Sequence, residues 1–292
     1  MSGKITKGEV FSLLPERKRE SSKHDYGRLL AVCGSTYYRG AAYFSCASAL
    51  RCGVGIASLA SIEKVITTVG ANLAECTFVP LGESVNGTIS ANNGHTVLRQ
   101  AKSCTTLLLG CGLAIDDDTR TLVKRIVSDS ECQLVLDADA LNILSECPEL
   151  IKSAKMPPII TPHHGEMSRL CGKTRNEVAD SPIITAMRFA EEYNCYVVLK
   201  SHITYIASPD GSLAVNDETG NSGLARGGSG DVLAGMISSF CAQGMKPFDA
   251  AKCGVYLHGL SADMCAKRLS ERAMLPSDIL TDLCKIFLEN KQ

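Results

Sequence analysis

The feature that most constrains the fold of this chain is an alternation of short apolar runs with longer amphipathic segments. The apolar runs are rich in β-branched and aliphatic residues, and they occupy residues 29–33, 106–109, 133–136, 158–160 and 196–199. Such runs are typical of buried strands in a parallel sheet. The amphipathic segments between them cover residues 41–51, 119–128, 166–171 and 183–193. The alternation predicts a three-layer α/β/α fold, with helices on both faces of a mostly parallel central sheet.

The later part of the chain departs from this alternation. Residues 203–207 and 212–215 are separated by Ser208-Pro209-Asp210-Gly211, which is strong turn chemistry and predicts an antiparallel hairpin near one edge of the sheet. From Asp231 onward the apolar pattern is helical. The sequence shows no internal repeat or linker, so we expect one domain over residues 1–292.

Composition narrows the class of partner. The 30 Lys and Arg residues nearly balance the 31 Asp and Glu residues, which leaves no basic field for nucleic acid or anionic lipid. No apolar stretch reaches the roughly 20 residues that span a bilayer, which excludes a helical membrane protein. A small-molecule partner is therefore expected.

Cysteine usage indicates the compartment. The 14 cysteines include no CxxC pair, and residues 1–20 lack the apolar region of a signal peptide, so we expect free thiols in a soluble, cytoplasmic protein. Within apolar runs, cysteine behaves as a small hydrophobic core residue, and this interpretation applies to Cys33, Cys104, Cys195 and Cys241.

The most informative segment is the glycine-rich stretch at residues 221–235, NSGLARGGSGDVLAG, which opens into an apolar-periodic helix. Backbone N–H groups of such a loop approach an anion closely, and the helix N-terminus adds partial positive charge. The alternative is a flexible turn capped by Asp231. A turn explains one or two glycines, but not Gly227, Gly228 and Gly230 together. The segment predicts a phosphate-binding loop.

Spacing excludes two better-known phosphate loops. Residues 172–174 (Gly-Lys-Thr) resemble the end of a P-loop, but Met167 occupies the position of its first glycine. The Gly-x-Gly pairs at 53–55 and 110–112 lack the third glycine of a dinucleotide-binding fold, because Ser58 and Ile115 stand there. The phosphates are therefore expected on the 221–235 loop.

An aspartate at the mouth of an anion site suits deprotonation of a hydroxyl that attacks a terminal phosphoryl group. The GxGD arrangement ending at Asp231 resembles the ribokinase-like superfamily. Further segments, in the same order, resemble signatures of the NAD(P)H-hydrate dehydratases that use ADP or ATP. They are the first strand at 30–34, the GAA turn at 40–42, the ALRxGxG helix end at 49–55, the LxxGPGL turn at 107–113, DADALN at 137–142 and TPHxGE at 161–166.

The resemblance implies a ribokinase-like fold and a repair reaction, in which the S form of NADHX or NADPHX is dehydrated to NADH or NADPH. ADP or ATP is the implied phosphoryl donor, with Mg²⁺. Asp231 is the implied catalytic base, and Ala41, Gly112 and His163 join it in the substrate site. The implied nucleotide-binding residues are Lys200, Ser201, His202, Ile203, Thr204, Asn221, Gly227, Gly228, Ser229 and Gly230.

The same resemblance implies partners. It implies a homo-oligomer, a tetramer, and a functional partnership with a separate epimerase that converts the R hydrate to the S hydrate. Two rival functions remain open at this point. One is a vitamin-precursor kinase of the same superfamily, such as a hydroxyethylthiazole or pyridoxal kinase, and the other is a catalytically silent nucleotide-binding protein.

The sequence departs from the family pattern at four positions: Ser201 replaces a glycine, Cys111 a proline, Arg226 a threonine and His24 a glycine. Ser201 is expected to restrict backbone approach. Arg226 either contacts phosphate or points into solvent.

Several polar residues also have two interpretations. Lys200 either neutralises nucleotide or ends a strand as a solvated charge. Asp137 and Asp139 either bind Mg²⁺, directly or through water, or cap a helix. His258, on an apolar helix face, is expected to be a structural histidine with satisfied hydrogen bonds, and the pair His163-His164 lacks the further ligands of a zinc site.

Overall fold

The apolar runs form the centre of one 10-stranded sheet in the computed structural model, which describes residues 2–290. The strands are β1 (Ser2–Lys4), β2 (Arg28–Val32), β3 (Ile56–Ile62), β4 (Thr77–Leu81), β5 (Thr106–Leu109), β6 (Gln133–Leu136), β7 (Ile159–Ile160), β8 (Tyr196–Leu199), β9 (Thr204–Ala207) and β10 (Leu213–Asn216).

The α-helices pack around this sheet. They are α1 (Lys7–Leu13), α2 (Arg39–Arg51), α3 (Glu63–Gly70), α4 (Gly94–Ala101), α5 (Asp117–Asp129), α6 (Asp139–Leu144), α7 (His164–Leu170), α8 (Arg175–Asp180), α9 (Pro182–Tyr193), α10 (Ser229–Ala242), α11 (Pro247–Leu269) and α12 (Pro276–Glu289). None of the helices within residues 2–290 combines the length and the apolar character that crossing a bilayer requires.

The sheet order is β1-β10-β9-β8-β7-β6-β5-β2-β3-β4. Strand β9 runs antiparallel to both of its neighbours, and the other pairings are parallel. The predicted fold class is therefore confirmed, and so is the antiparallel hairpin, formed by β9 and β10 one strand in from the edge. Strands β3 and β4 are not evident in the sequence, because β3 mixes alanine and serine with its larger residues and β4 carries Pro80 at the sheet edge.

The order of the strands creates a switch point between β2 and β5. From β2 the chain proceeds to β3 and β4 in one direction, and from β5 it proceeds through β6 and β7 to β8 in the other. Right-handed crossovers consequently place the connecting helices on opposite faces of the sheet. The loops that leave β2 and β5 diverge, and ligands of open α/β sheets bind in the crevice that this divergence opens.

Close packing of α2 against α10 supports the helix that follows the glycine-rich loop. A Cβ added to Gly235 of α10 would lie 2.1 Å from Ser48 Oγ and 2.2 Å from the Ser45 carbonyl oxygen of α2. Small residues thus let the two helices approach closely, which fixes the start of α10 against the sheet.

Most of the cysteines that were predicted to lie in the core are buried. All 14 are free thiols; Cys33, Cys195 and Cys241 are buried, and Cys104 is half-buried.

Candidate active site

The candidate active site lies at the switch point, where the loops after β2 and β5 meet. Ala41 lies in the first turn of α2, and Gly112 lies in the turn after β5. Gly112 has a φ of +65°, and a Cβ added there would lie 2.7 Å from the Cβ atoms of Ala41 and Tyr38. Only glycine fits this position. The structure thus places two predicted substrate residues side by side.

The glycine-rich loop before α10 is held by α11 and leaves backbone donors free. Asn221 Nδ2 donates to Asp263 Oδ1 at 2.8 Å. Helix α10 begins at Ser229 with Gly228 as its N-cap, at a φ of +100° and with no side-chain cap. A side chain at Gly228 would also meet Phe44 Cε2 at 2.9 Å. The first N–H groups of α10 therefore have no side-chain acceptor, which is the arrangement that binds phosphate.

Asp231 lies in the first turn of α10, within the helix and not at its N-cap, which is Gly228. The interpretation of Asp231 as a helix cap is therefore wrong. Its carboxylate lies beside Asp137 and the Cys111 thiol, with one atom of each within 4.8 Å of the others. Burial and the charge of Asp137 raise the pKa of Asp231 to about 7, against a lowering effect of the Cys111 hydrogen bond and of Lys200. This pKa suits a general base at neutral pH.

Lys200 and Asp137 form a buried ion pair directly beneath the loop. Lys200 Nζ donates to Asp137 Oδ1 at 2.9 Å, and their side chains are 19% and 3% exposed. Thr161 Oγ1 donates to the same oxygen at 2.6 Å. A Cβ added to Gly230 would lie 3.6 Å from Lys200 Nζ. The interpretation of Lys200 as a solvated strand end is therefore wrong, and Asp137 pairs with a lysine instead of capping a helix.

His163 is the N-cap of α7 and is held in one orientation. Its Nδ1 accepts from the backbone N–H groups of Gly165, at 2.9 Å, and of Glu166, at 3.1 Å. Burial and the charge of Lys200 lower the pKa of His163. Because Nδ1 accepts both bonds, the proton of the neutral ring is on Nε2. This geometry makes His163 a hydrogen-bond donor at the mouth of the site.

Glu166 is a buried charge whose place in the site the sequence did not reveal. Its Oε2 accepts from the His163 backbone N–H at 2.8 Å, and the same oxygen lies 4.0 Å from Lys200 Nζ. Burial raises the pKa of Glu166 to about 7, against a lowering effect of Lys200. The spacing of a capping box, residue 163 to residue 166, was the available signal.

The predicted nucleotide segment at 200–204 joins β8 to β9 beside the loop. Lys200 faces Gly230, whereas Ser201 and His202 are exposed, with Ser201 Oγ 3.2 Å from His202 Nδ1. Ile203 is half-buried and Thr204 is buried at the start of β9. The structure thus brings the Lys200 end of this segment against the glycine-rich loop.

The structure also gives the surroundings of three further polar residues, Arg226, His24 and His258. Arg226 is exposed, but its Nη2 donates to the Arg272 carbonyl oxygen at 2.9 Å, so it is held against the backbone. His24 lies in a short 3₁₀ helix, Lys23–Tyr26. His258 is buried and burial lowers its pKa to about 4. Within residues 2–290 its Nε2 has no partner of good hydrogen-bond geometry, although an interaction with the Ser229 backbone acts to raise the pKa of the ring.

Candidate metal ligands group around the same carboxylates. Among the described residues, one set of three has ligand atoms close enough to hold a cation: Cys111, Asp137 and Asp231. Asp137 is already paired with Lys200, and a hydrogen bond with Cys33 and burial raise the pKa of the Cys111 thiol well above its ordinary value. A neutral thiol and a paired carboxylate are poor ligands for Mg²⁺. Asp139, whose Oδ2 accepts from the Ala114 N–H at 2.9 Å, is the less encumbered carboxylate nearby.

The sheet order, the switch-point site and the uncapped α10 define a ribokinase-like nucleotide-binding architecture. A crystal structure of a ribokinase-like superfamily protein from Enterococcus faecalis superposes with a TM-score of 0.86 at 25% identity, over 99% of this chain and 96% of that one. A sequence profile for NAD(P)H-hydrate dehydratase matches residues 29–285. The chain belongs to the NAD(P)H-hydrate dehydratase family.

Two relatives illustrate the similarity. A bifunctional NAD(P)H-hydrate repair enzyme of Thermofilum pendens is 36% identical over 93% of this chain and 52% of its own length. An ADP-dependent (S)-NAD(P)H-hydrate dehydratase of Bacillus subtilis is 32% identical over 97% of this chain and 98% of its own length. The crystal structure of a B. subtilis ADP/ATP-dependent NAD(P)H-hydrate dehydratase, co-crystallised with ATP and Mg²⁺, superposes with a TM-score of 0.84 at 29% identity, covering 99% of both chains. The chain spans about half the length of the bifunctional relatives.

Proposed function

We propose that this protein dehydrates the S form of NADHX or NADPHX to NADH or NADPH, with ADP or ATP as phosphoryl donor. The observation that carries the proposal is Asp231, a carboxyl with a pKa raised to about 7 by burial and by Asp137, in the first turn of the helix that follows the phosphate loop. Family membership and the names of the relatives support the same reaction.

The reaction removes a hydroxyl group that is a poor leaving group at neutral pH. Asp231 accepts the hydroxyl proton while the hydroxyl oxygen attacks the terminal phosphorus of the nucleotide. The new O–P bond forms as the bond to the leaving AMP or ADP breaks. The C–O bond then breaks to release inorganic phosphate, the neighbouring ring carbon loses a proton, and the ring double bond returns.

The loop and Lys200 supply the stabilisation of the transferring phosphoryl group. The N–H groups of Gly228 and Gly230 and the dipole of α10 face the charge that develops there, whereas the Ser229 N–H donates to the Arg226 carbonyl oxygen at 3.3 Å. The Lys200 ammonium, held by Asp137 against Gly230, adds hydrogen-bond donors whose charge Asp137 partly compensates. Mg²⁺ would enter with the nucleotide phosphates and neutralise them. Asp139 is the residue best placed to hold it or its waters.

His163, Ala41 and Gly112 would orient the hydrated ring. His163 presents its Nε2–H as a donor, so it serves an acceptor oxygen of the substrate and does not take up a proton. Ala41 and Gly112 are small residues in contact, so the hydrated ring can approach the backbone closely there.

Turnover tests this proposal directly. Purified protein is incubated with NADHX and Mg²⁺, with ADP, with ATP and without nucleotide, and absorbance at the reduced-nicotinamide band is followed. We expect the band to return with at least one nucleotide. Nucleotide binding without any return would favour a silent nucleotide-binding protein, and phosphorylation of hydroxyethylthiazole or pyridoxal in its place would favour a vitamin-precursor kinase.

The proposed function involves two kinds of partner, an epimerase and further copies of this chain. An epimerase that converts the R hydrate to the S hydrate would enlarge the usable substrate pool, and adding one to the assay is expected to consume the remaining hydrate. A homo-oligomer, a tetramer, is the proposed assembly. Light scattering that gave the mass of a single 31.1 kDa chain across micromolar concentrations would contradict it.

A further inference from the structure

The proposed substrate is a dinucleotide, but the reaction uses only its hydrated ring. If the proposed function holds, the other half, an adenosine monophosphate joined through the pyrophosphate, extends out of the crevice. The donor nucleotide occupies the side of β8 and β9, at residues 200–204 and 221–230. The sheet order places β2, β3 and β4 on the other side of the switch point. The path left open to the adenosine half therefore runs over the loops that follow β2 and β4, and we call this path the exit.

Two consecutive tyrosines stand on that exit. Tyr37 is 66% exposed and Tyr38 is 55% exposed, and both precede the first turn of α2. Tyr38 touches the substrate turn, because a Cβ added to Gly112 would lie 2.7 Å from Tyr38 Cβ. Large aromatic side chains exposed next to one another on a monomer mark a contact site. Nothing in the reaction at Asp231 uses them.

The loop that carries the tyrosines is fixed, and it also carries a positive charge. The Thr36 N–H donates to the Gly87 carbonyl oxygen at 2.9 Å, and Thr36 Oγ1 donates to Glu83 Oε1 at 3.0 Å. Arg39, half-buried, donates through Nε to the Thr36 carbonyl oxygen at 3.3 Å. The Glu83 carboxylate is paired with Lys64 at 2.7 Å, and Lys64 lowers its pKa most, with a smaller contribution from Arg39. Aromatic rings on a fixed loop beside a guanidinium suit a base joined to a pyrophosphate.

We propose that Tyr37, Tyr38 and Arg39 form a subsite for the adenosine half of the dinucleotide substrate. The tyrosine rings offer faces on which adenine stacks, and Arg39 faces the pyrophosphate. This subsite contributes to binding of the whole substrate and takes no part in the chemical step. A residue with that role changes KM and leaves kcat in place.

A truncated substrate isolates the subsite. Hydrated reduced nicotinamide mononucleotide carries the reacting ring but lacks the adenosine half. For the double variant Tyr37→Ser, Tyr38→Ser, we expect KM for NADHX to rise about tenfold, since stacked bases contribute on this scale, while kcat stays within twofold. KM for the truncated substrate is expected to be the same in the variant and the parent. Equal changes with both substrates, or no change with NADHX, would overturn the subsite.

Matched controls show whether a change in KM belongs to the subsite. Leu288 is also an exposed apolar residue, at 61%, but it lies near the end of α12, outside the exit, so Leu288→Ser is expected to leave both KM values unchanged. A lower mass of the double variant by light scattering would show that the tyrosines bind a second copy of the chain, and would overturn the proposal.

Binding and turnover of the parent protein complete the test. Calorimetry with ADP-ribose, with the donor site saturated by ATP and Mg²⁺, needs no turnover, and ADP-ribose is expected to bind the double variant about tenfold more weakly than the parent. A parent protein that turns over neither hydrate defeats the proposed function itself, whereas a parent that turns over NADHX with an unaltered variant KM defeats only the subsite.

Discussion

Two aspartates of this protein, the half-buried Asp231 on α10 and the buried Asp282 on α12, have opposite electrostatic surroundings. Asp282 is 1% exposed and accepts from Arg268 Nη2 at 2.8 Å and from Lys285 Nζ at 2.7 Å. Burial acts to raise the pKa of Asp282, but the hydrogen bonds from Arg268 and Lys285 outweigh it, and the pKa is lowered. The carboxylate at Asp282 is therefore charged, paired and structural.

Asp231 is half-buried and has no salt-bridge partner of its own among the residues that the structure describes. The cation closest to its surroundings, Lys200, is bound to Asp137, whose charge acts on Asp231 in the unfavourable direction. Loss of solvent acts to raise the pKa of both aspartates. What distinguishes a candidate base from a structural carboxylate is the sign of the charges that face it. Substitutions at the two aspartates and at their neighbours test this distinction.

The largest effect is expected from Asp231→Asn. The amide keeps the size of the side chain but cannot accept the hydroxyl proton, so kcat is expected to fall about 10² to 10⁴-fold. Nucleotide affinity is expected to stay near the parental value, because the loop donors are backbone groups. Turnover measured by reduced-nicotinamide absorbance, with calorimetry for ADP and ATP, checks both. Activity within a few-fold of the parent would refute the assignment of Asp231.

A smaller effect is expected from Asp137→Asn, which acts through Asp231 and Lys200. In the parent, kcat/KM is expected to rise with pH through about 7, as Asp231 loses its proton. Removing the charge of Asp137, and freeing Lys200, both lower the pKa of Asp231, so the acid limb of the profile is expected to move to lower pH. The plateau rate is expected to fall about tenfold, because Lys200 loses the ion pair that holds its ammonium group against Gly230.

A matched variant controls the Asp137 experiment. Thr161→Val removes one hydrogen bond to Asp137 and leaves its charge and the Lys200 pair in place. The acid limb is expected to stay where it is in the parent. An acid limb that shifted equally in both variants would mean that general loosening of the site, and not the charge of Asp137, sets the pKa.

The contributions of the two aspartates to the free energy of unfolding are expected to depend on pH with opposite sign. Asp282→Asn is expected to lower the free energy of unfolding by about 1–3 kcal/mol at pH 7, the range for hydrogen bonds to charged groups, with activity unchanged. The lowered pKa means that this contribution is present above the ordinary value of 3.8 and is lost as pH falls below it.

For Asp231 the raised pKa reverses the sign. The carboxyl favours the folded state in its protonated form, so its contribution is lost as pH rises from the ordinary value of 3.8 to about 7. Denaturant unfolding of the parent and of Asp231→Asn, compared across this window, is expected to show the parent losing stability relative to the variant as pH rises. Parallel curves would show that Asp231 does not titrate there.

Sequence patterns predicted the architecture better than they predicted the charges. Apolar runs located β2, β5, β6, β7 and β8, because periodicity reports burial. Glycine spacing located the loop before α10, because a side chain at Gly228 would be strained and would meet Phe44. The Asp137–Lys200 pair joins residues 63 positions apart, and no local pattern reports such a contact. Asp231 was identified from its motif, but its pKa is raised by burial and then by the charge of the distant Asp137.

The smallest effect is expected from Ser201→Gly, which restores the residue usual in the family. Ser201 is exposed, and it is absent from the described non-glycine residues with positive φ, which are Ala114, Ala138, Asn194 and Ser270. A glycine is therefore not required there by the backbone, in contrast to Gly228, where φ is +100° and Phe44 blocks a side chain. We expect the dissociation constants of ADP and ATP, measured by calorimetry, to change less than threefold in Ser201→Gly.

Gly228→Ala is the matched control in the same site. It is expected to weaken the binding of ADP and of ATP more than tenfold, because about 1 kcal/mol or more of backbone strain adds to the steric contact. A more than tenfold gain in affinity for Ser201→Gly would contradict this prediction. It would show that the serine side chain lies in the path of the phosphates and weakens their binding at the start of α10.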